Sequence, residues 1–224
     1  MSKTNIVLSD ITCMKDKFCI AGWDLDECRM KRLLINGGYW DTHNLDSIGK
    51  WYSLISVNTD LLDKPRDYPQ RTDDVNVNID SIDCRKSFSS GQEVVAKLSS
   101  SVSENIMTIF NNSVVENSYV PQHTVCSSLG AVEILANHVT FVIKNGKLRA
   151  KISDNDKREY LLPVSCKYIR DAFYRNENHD KNVNKLNSIL TIEWIAHLRI
   201  GLARPFSMQE NHCYIMLNGL FLHQ

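Results

Sequence analysis

Three short apolar runs open the chain, over residues 6–14, 18–23 and 30–35, parted by Lys15-Asp16-Lys17 and by Asp24-Leu25-Asp26-Glu27. Runs rich in β-branched and aromatic residues, bounded by turn-forming polar clusters, predict strands joined by hairpins. The chain is therefore expected to begin with a three-stranded antiparallel meander. Asn36-Gly37-Gly38 is a strong turn signal. A further strand is expected over residues 51–62, with Trp51, Ser53, Ile55 and Val57 on one side and Leu54 on the other, so that both faces are covered. Residues 64–74 hold two prolines among many charges and read as a loop. Val75, Val77 and Ile79 then alternate with Asn76, Asn78 and Asp80, the pattern of a half-exposed strand over residues 75–82 that closes the first β unit.

The period changes over residues 90–110. Val94, Leu98, Val102, Ile106 and Phe110 recur every fourth residue, and Val95 and Ile109 widen the stripe, which predicts a helix. Ser90 and Glu93 are spaced as a capping box at its start. Ser99-Ser100-Ser101 interrupts the stripe, and Ser101 with Glu104 repeats the capping spacing, so two shorter helices are the other reading. Residues 111–122 are polar, and the boundary between two units, 1–115 and 116–224, is placed there. Period-two runs return at residues 129–135, 139–143, 148–152 and 160–164, with an Asn145-Gly146 hairpin between the middle two. A short helix over 167–175, a mobile polar connection over 176–187 and strands over 190–202 and 213–222 complete the chain. Together these elements predict a mainly β protein of two OB-like β-barrels, with a helical insertion between them and a short helix in the second.

Charge changes this picture more than composition does. The 224 residues carry 26 Lys or Arg and 26 Asp or Glu, a formal net charge of zero. From Lys144 to Arg204 there are thirteen basic and seven acidic residues, whereas from Leu61 to Ile143 there are six and ten. A basic second half beside an acidic middle makes a directional field. No apolar run approaches a membrane span, and the first residues lack the apolar core of a signal peptide, so a cytoplasmic protein with no membrane contact is expected. The seven cysteines are scattered and include no CxxC, which points to buried reduced thiols. The seven histidines are equally dispersed, and neither a nucleophile elbow nor a phosphate-binding glycine loop occurs. No metal, cofactor or catalytic residue is predicted, and the chain is not expected to be an enzyme.

What remains is cations interleaved with aromatic rings, the ingredients of single-strand binding. Trp23 stands near Arg29, Lys31 and Arg32, followed by Tyr39 and Trp40. The second half sets Tyr160, Tyr168, Phe173, Tyr174 and Trp194 among Lys147, Arg149, Lys151, Lys167, Arg170 and Arg175. Arg149 and Lys151 alternate with Leu148, Ala150 and Ile152, which places both cations on one strand face. Arg29, Lys31, Arg32, Arg149, Lys151, Arg199 and Arg204 are the expected phosphate contacts, and Trp23, Trp40 and Trp194 the expected stacking platforms. Arg204 has a second reading, in which it caps a turn or pairs with an acid of the first barrel.

Four stretches carry a family likeness: Ile6-Val7-Leu8-Ser9-Asp10-Ile11-Thr12 with the hairpin from Cys19 to Asp26; Arg32-Leu33-Leu34-Ile35; Val57-Asn58-Thr59-Asp60-Leu61-Leu62 with the proline-bearing loop through Thr72-Asp73-Asp74; and Ile200 to Phe206 with Tyr214 to Phe221, including Asn218-Gly219. In these the chain resembles bacterial proteins described as the dual OB-containing domain family. That family often has a histidine-threonine-glutamate-aspartate run where this chain keeps only part, Gln70-Arg71-Thr72-Asp73. The resemblance implies two OB-like barrels, nucleic-acid binding and a bacterial defence or mobile-element setting. It supplies no binding residues, and it does not extend over residues 84–125. The resulting expectation is non-catalytic binding of single-stranded DNA or RNA. The alternative is an accessory subunit that docks on a protein partner of a defence complex without touching nucleic acid.

Overall fold

The computed structural model describes residues 2–46, 48, 52–61, 73–205 and 211–224. The first half contains β1 (Ser2–Met14), β2 (Lys17–Asp24), β3 (Arg29–Leu34), α1 (Thr42–Asp46), β4 (Ser53–Leu61), β5 (Asp74–Val77) and β6 (Asp83–Ser87). Its six strands lie in the order β1-β2-β3-β5-β4-β6, and β1 also pairs with β4, so the first five close a ring with β6 outside it. Only β3 and β5 are parallel. One strand serves both ends of the ring because β1 is long: residues 2–7 pair with β4 and residues 6–14 with β2. Inside sit Ile6, Leu8, Ile11, Ile20, Leu33, Trp40, Ile55, Val57 and Val75.

In the second half β8 (Tyr119–Pro121), β9 (Leu129–Leu135), β10 (Val139–Lys144), β11 (Lys147–Ser153), β12 (Glu159–Pro163), α4 (Lys167–Phe173), α5 (His179–Asn187), β13 (Ile195–Leu202) and β14 (His212–His223) follow one another. Two sheets form, β10-β11-β12 and a five-stranded sheet that includes β9-β13-β14-β8. They are joined at two places. A 3-10 turn at Ala136–His138 makes β9 and β10 one bent strand, and Val164 bridges Leu217 in parallel. The neighbours therefore run β9/β10, β11, β12, β14, β13 and back to β9. This repeats the circuit of the first half. The mainly β composition and the Asn145-Gly146 hairpin match the sequence pattern, and both turn residues have the positive φ that such a turn demands.

The single helix predicted over 90–110 is corrected, and the other reading, two shorter helices, is nearer to what forms. The segment splits into α2 (Gly91–Leu98), a 3-10 turn at Ser99–Ser101, β7 (Val102–Ser103) and α3 (Ile106–Ile109). The Ser101 hydroxyl donates to the Leu98 carbonyl at 2.6 Å, a local bond that competes with helix continuation. Ser90 caps α2 as expected, but α3 is capped by Asn105 and Thr108 rather than by Ser101 and Glu104. Moreover β7 pairs in parallel with β9, and Ile106, Ile109 and Phe110 join the second core, so residues 102–115 pack with the second half. The predicted strand over 75–82 ends at Val77, and the exposed strand β6 had no apolar pattern to reveal it. Residues 179–187, expected to be a mobile connection, form α5. Asn178 caps it, and the Asn187 side chain bonds both the N–H and the carbonyl of Phe141. Trp51 and the loop over 64–72 lie outside the described residues. Among the described residues no helix is long and apolar enough to cross a membrane.

The halves meet where two β-bulges face each other. The pairing of β1 with β2 slips at Ser9, and that of β13 with β14 slips at Asn218. A bulge re-aims the next side chain, and here Asp10 meets Arg199 across the junction, Oδ1 to Nε 2.9 Å, with both residues buried. Arg199 also donates to Ser101 Oγ and Met30 Sδ. Gly219 lies in the same contact. A Cβ there would sit 3.1 Å from Arg199 Cγ and 3.3 Å from the Ser9 carbonyl oxygen. Nearby, Cys13 N–H donates to the Ser165 carbonyl at 2.9 Å. A third apolar cluster, with Val94, Val95 and Leu98 of α2 between Val7, Trp23 and Met30 on one side and Leu129 and Phe221 on the other, seals the junction. Removing one member of a buried ion pair strands the other, so Arg199→Met should cost about 3–5 kcal/mol in urea unfolding, and the pair Asp10→Leu with Arg199→Met should recover much of it. A single substitution costing less than about 1 kcal/mol would show that the pair does not hold the junction.

Candidate functional site

Three of the seven cations expected on the surface, Lys31, Arg32 and Arg199, are inside. Lys31 contacts Asp24 at 2.5 Å and Glu27 at 2.7 Å, and its side chain is only 2% exposed. Burial pushes the Asp24 carboxyl upward, but hydrogen bonds from Lys31, Thr4 and the N–H groups of Glu27 and Asp26 outweigh it and hold the group below its ordinary value. Arg32 is bound to Asp74 at 2.6 Å and to Ser128 at 2.8 Å, and Arg199 is spent on Asp10. Trp40 is wholly buried, its indole N–H donating to the Leu33 carbonyl at 2.7 Å, and Trp23 is 7% exposed. The expectation that these five meet a nucleic acid is corrected: all are buried, the three cations against carboxylates and the two tryptophans within apolar clusters. Trp194 is half-buried against the second core. Arg29 is exposed and bound to Glu27 at 2.6 Å, and Lys151 is bound to Glu159 at 3.1 Å.

Arg149 and Arg204 do come together. They line an open groove of about 630 Å³ with Lys15, Lys147 and Arg170, and no carboxylate is among its lining residues. Each cation arrives by a different route. Lys15 sits in the β1–β2 turn with φ 61°, and Lys147 leaves the Asn145-Gly146 turn into β11. Arg149 lies on the outer face of β11, where the predicted alternation holds: Leu148, Ala150 and Ile152 are buried. Arg170 lies on α4 with its guanidinium 5.6 Å from the Tyr174 ring. Arg204 follows β13 and lies 4.5 Å from the ring centre of Tyr39, a residue of the first half, rather than in an ion pair. None of the five cations is in an ion pair among the described residues, whereas neighbouring Lys167 is bound to Asp171. Tyr174, which is 47% exposed, and half-buried Tyr214 stand in the wall. Lys147, Arg170 and Tyr174 were visible in the sequence as interleaved cations and rings. Lys15 was visible only as a turn residue, because nothing local shows that its hairpin reaches the second half.

Among the described residues no three His, Cys, Asp or Glu converge as metal ligands. Among the described residues no disulfide forms, and of the seven cysteines Cys126, Cys166 and Cys213 are buried whereas Cys28 and Cys84 are exposed. The expectation of buried thiols therefore holds for part of the set. Burial pushes the thiols of Cys126 and Cys166 up to about 12, so they stay protonated and weakly nucleophilic.

A titrating cluster lies on the β9–β13–β14 sheet. Glu133 Oε1 is 3.0 Å from His197 Nδ1 and 3.3 Å from His223 Nε2. Burial first, and then the Arg199 charge, lower His197 from 6.5 to about 4 against the pull of Glu133. The unfolded chain thus binds more protons than the folded one between those values, and stability falls as pH drops through that window. Unfolding in urea at pH 7, 5.5 and 4 should show a loss that includes about 1–3 kcal/mol from this residue. His197→Gln should flatten the slope by that share; an unchanged slope would assign the loss elsewhere.

Compared with known proteins, no family model matches the chain and no curated protein sequence matches it.

Proposed function

We propose that the protein binds single-stranded nucleic acid, with little base preference, in the cationic groove of its second half, and that both halves are OB-type barrels. The barrel reading is supported by the two circuits. Each runs first, second, third, fifth, fourth strand and back to the first, with the third and fifth parallel. Each also has helix between its third and fourth strands, α1 in one and α4 with α5 in the other. In such barrels ligands lie on the face of strands two and three, flanked by the loops joining strands one to two and four to five. In the second half those are β11, β12, the Asn145-Gly146 turn and the connection after β13. Lys147, Arg149, Pro163 and Arg204 of the groove stand on these parts.

The observation that carries the proposal is five cations lining one groove, none of them in an ion pair among the described residues and with no acid among the lining residues. Such an arrangement is costly in self-repulsion and is relieved by a polyanion. Successive phosphates satisfy it, and phosphate contacts carry no sequence information. Exposed Tyr174, which lies beside the Arg170 guanidinium, is the ring on which a base stacks in this reading. Of the residues expected from sequence the proposal retains Arg149 and Arg204 and adds Lys15, Lys147 and Arg170. It assigns no catalytic step.

Fluorescence anisotropy with labelled oligo-dT and oligo-U tests this. If about five phosphates are engaged, the log–log salt slope should be about −3 to −4, a loss of about 100-fold between 50 and 200 mM salt. Arg149→Glu with Arg204→Glu should weaken binding at least about tenfold, whereas Lys151→Ala, outside the groove, should leave it unchanged. Absence of binding at low salt, or equal loss in both variants, would overturn the proposal.

A further inference from the structure

The molecule has a second open cavity, of about 600 Å³, lined by none of the groove's cations. Its walls come from the β2–β3 hairpin, from residues 100–111 and from the start of β9, and Asp73 is one of its lining residues. Asp73 is only 6% exposed and belongs to a chain of four buried groups. Asp74 Oδ1 accepts from Arg32 Nη1 at 2.6 Å, Arg32 Nη2 donates to Ser128 Oγ at 2.8 Å, and Ser128 donates to Asp73 Oδ2 at 2.6 Å. One guanidinium therefore serves two carboxylates. Among the described residues Asp73 Oδ1 and Asp74 Oδ2 have no hydrogen-bond partner, so one buried cation answers two buried acids.

Three hydroxyls of the polar wall turn their protons away from the cavity. Ser101 donates to the Leu98 carbonyl at 2.6 Å, Thr108 to that of Asn105 at 2.8 Å and Ser127 to that of Leu129 at 2.7 Å. With their protons committed to the backbone, these hydroxyls act as acceptors: each oxygen already takes one bond, Ser101 from Arg199, Thr108 from the Asn105 N–H and Ser127 from the Leu129 N–H, and keeps one further lone pair. Arg29, on the rim, is already matched by Glu27 at 2.6 Å. Trp23 and Ile109 supply apolar surface beside this acceptor-rich lining. The Asp73 carboxyl fits the same account: burial pushes it above its ordinary value, against the pull of Arg32 and Ser128, which marks a site short of positive charge.

We propose that this cavity binds a small organic cation, a guanidinium or primary ammonium head on a short apolar stem, with the head held by Asp73 and the hydroxyl oxygens and the stem against Trp23 and Ile109. The volume lies in the range of small-molecule sites. The proposal is independent of nucleic-acid binding.

The test is an NMR titration of the full chain with butylguanidinium and with its neutral isostere butylurea, followed at the Trp23 indole and the Ile109 methyl groups. Butylguanidinium should give saturable shifts, with butylurea at least about tenfold weaker, because a charge-assisted bond to a buried carboxylate is at stake. Asp73→Asn should weaken butylguanidinium by a similar factor. Should that variant fold poorly, the two probes on the unaltered protein decide the matter alone. No saturable shift up to about 10 mM, or equal affinities for the two probes, would overturn the proposal.

Discussion

The contact between Asp10 and Arg199 governs how everything else is placed. Two charges taken out of water are tolerated only when geometry and further hydrogen bonds are good. Here the geometry is supplied by irregularities in two strands, the slips at Ser9 and Asn218, and by the missing side chain of Gly219. Once the two halves are locked in this register, the β1–β2 turn carries Lys15 to the mouth of the second half's groove, and Arg204 comes to rest over Tyr39. The groove is thus a product of the junction as much as of either half.

The cations sort into two populations by what they face. Lys31, Arg32 and Arg199 lie in an apolar setting and each has a carboxylate within hydrogen-bond reach. Among the described residues Lys15, Lys147, Arg149 and Arg170 have none, and they lie at the surface or half-buried. Desolvation explains the difference, since a buried cation without a partner is not sustained, whereas a hydrated one is.

That division was only partly legible in the chain. Arg149 and Lys151 alternate with three apolar residues on a strand with one wet face, so period-two logic placed them correctly. On β3 the same logic fails, because Met30 to Leu34 are all buried. The outward side of that strand is covered by residues far away in sequence, such as Ser128 and the helix α2. Strand alternation says which residues share a side, and it does not say whether another layer lies over that side. The fold itself was clearest where signals were local: the opening hairpins, Asn145-Gly146 and the Ser90 cap. It was lost where stabilisation is non-local or polar. β6 is a strand because β4 has a free edge, α5 is held by Asn178, Asn187 and the single buried Val183, and the helix expected to run through Ser101 stops because that hydroxyl turns back on the backbone.

The crossed bulges also bear on how the molecule must be handled. Divided between β6 and β7, the polypeptide would leave an acid on one piece and its guanidinium on the other, each embedded in oily surroundings that water would then flood. Neither piece would inherit a finished exterior, and Lys15 would be severed from the remaining lining of its groove. Dissection into the two halves would therefore study two damaged objects, and only the intact polypeptide presents the whole groove.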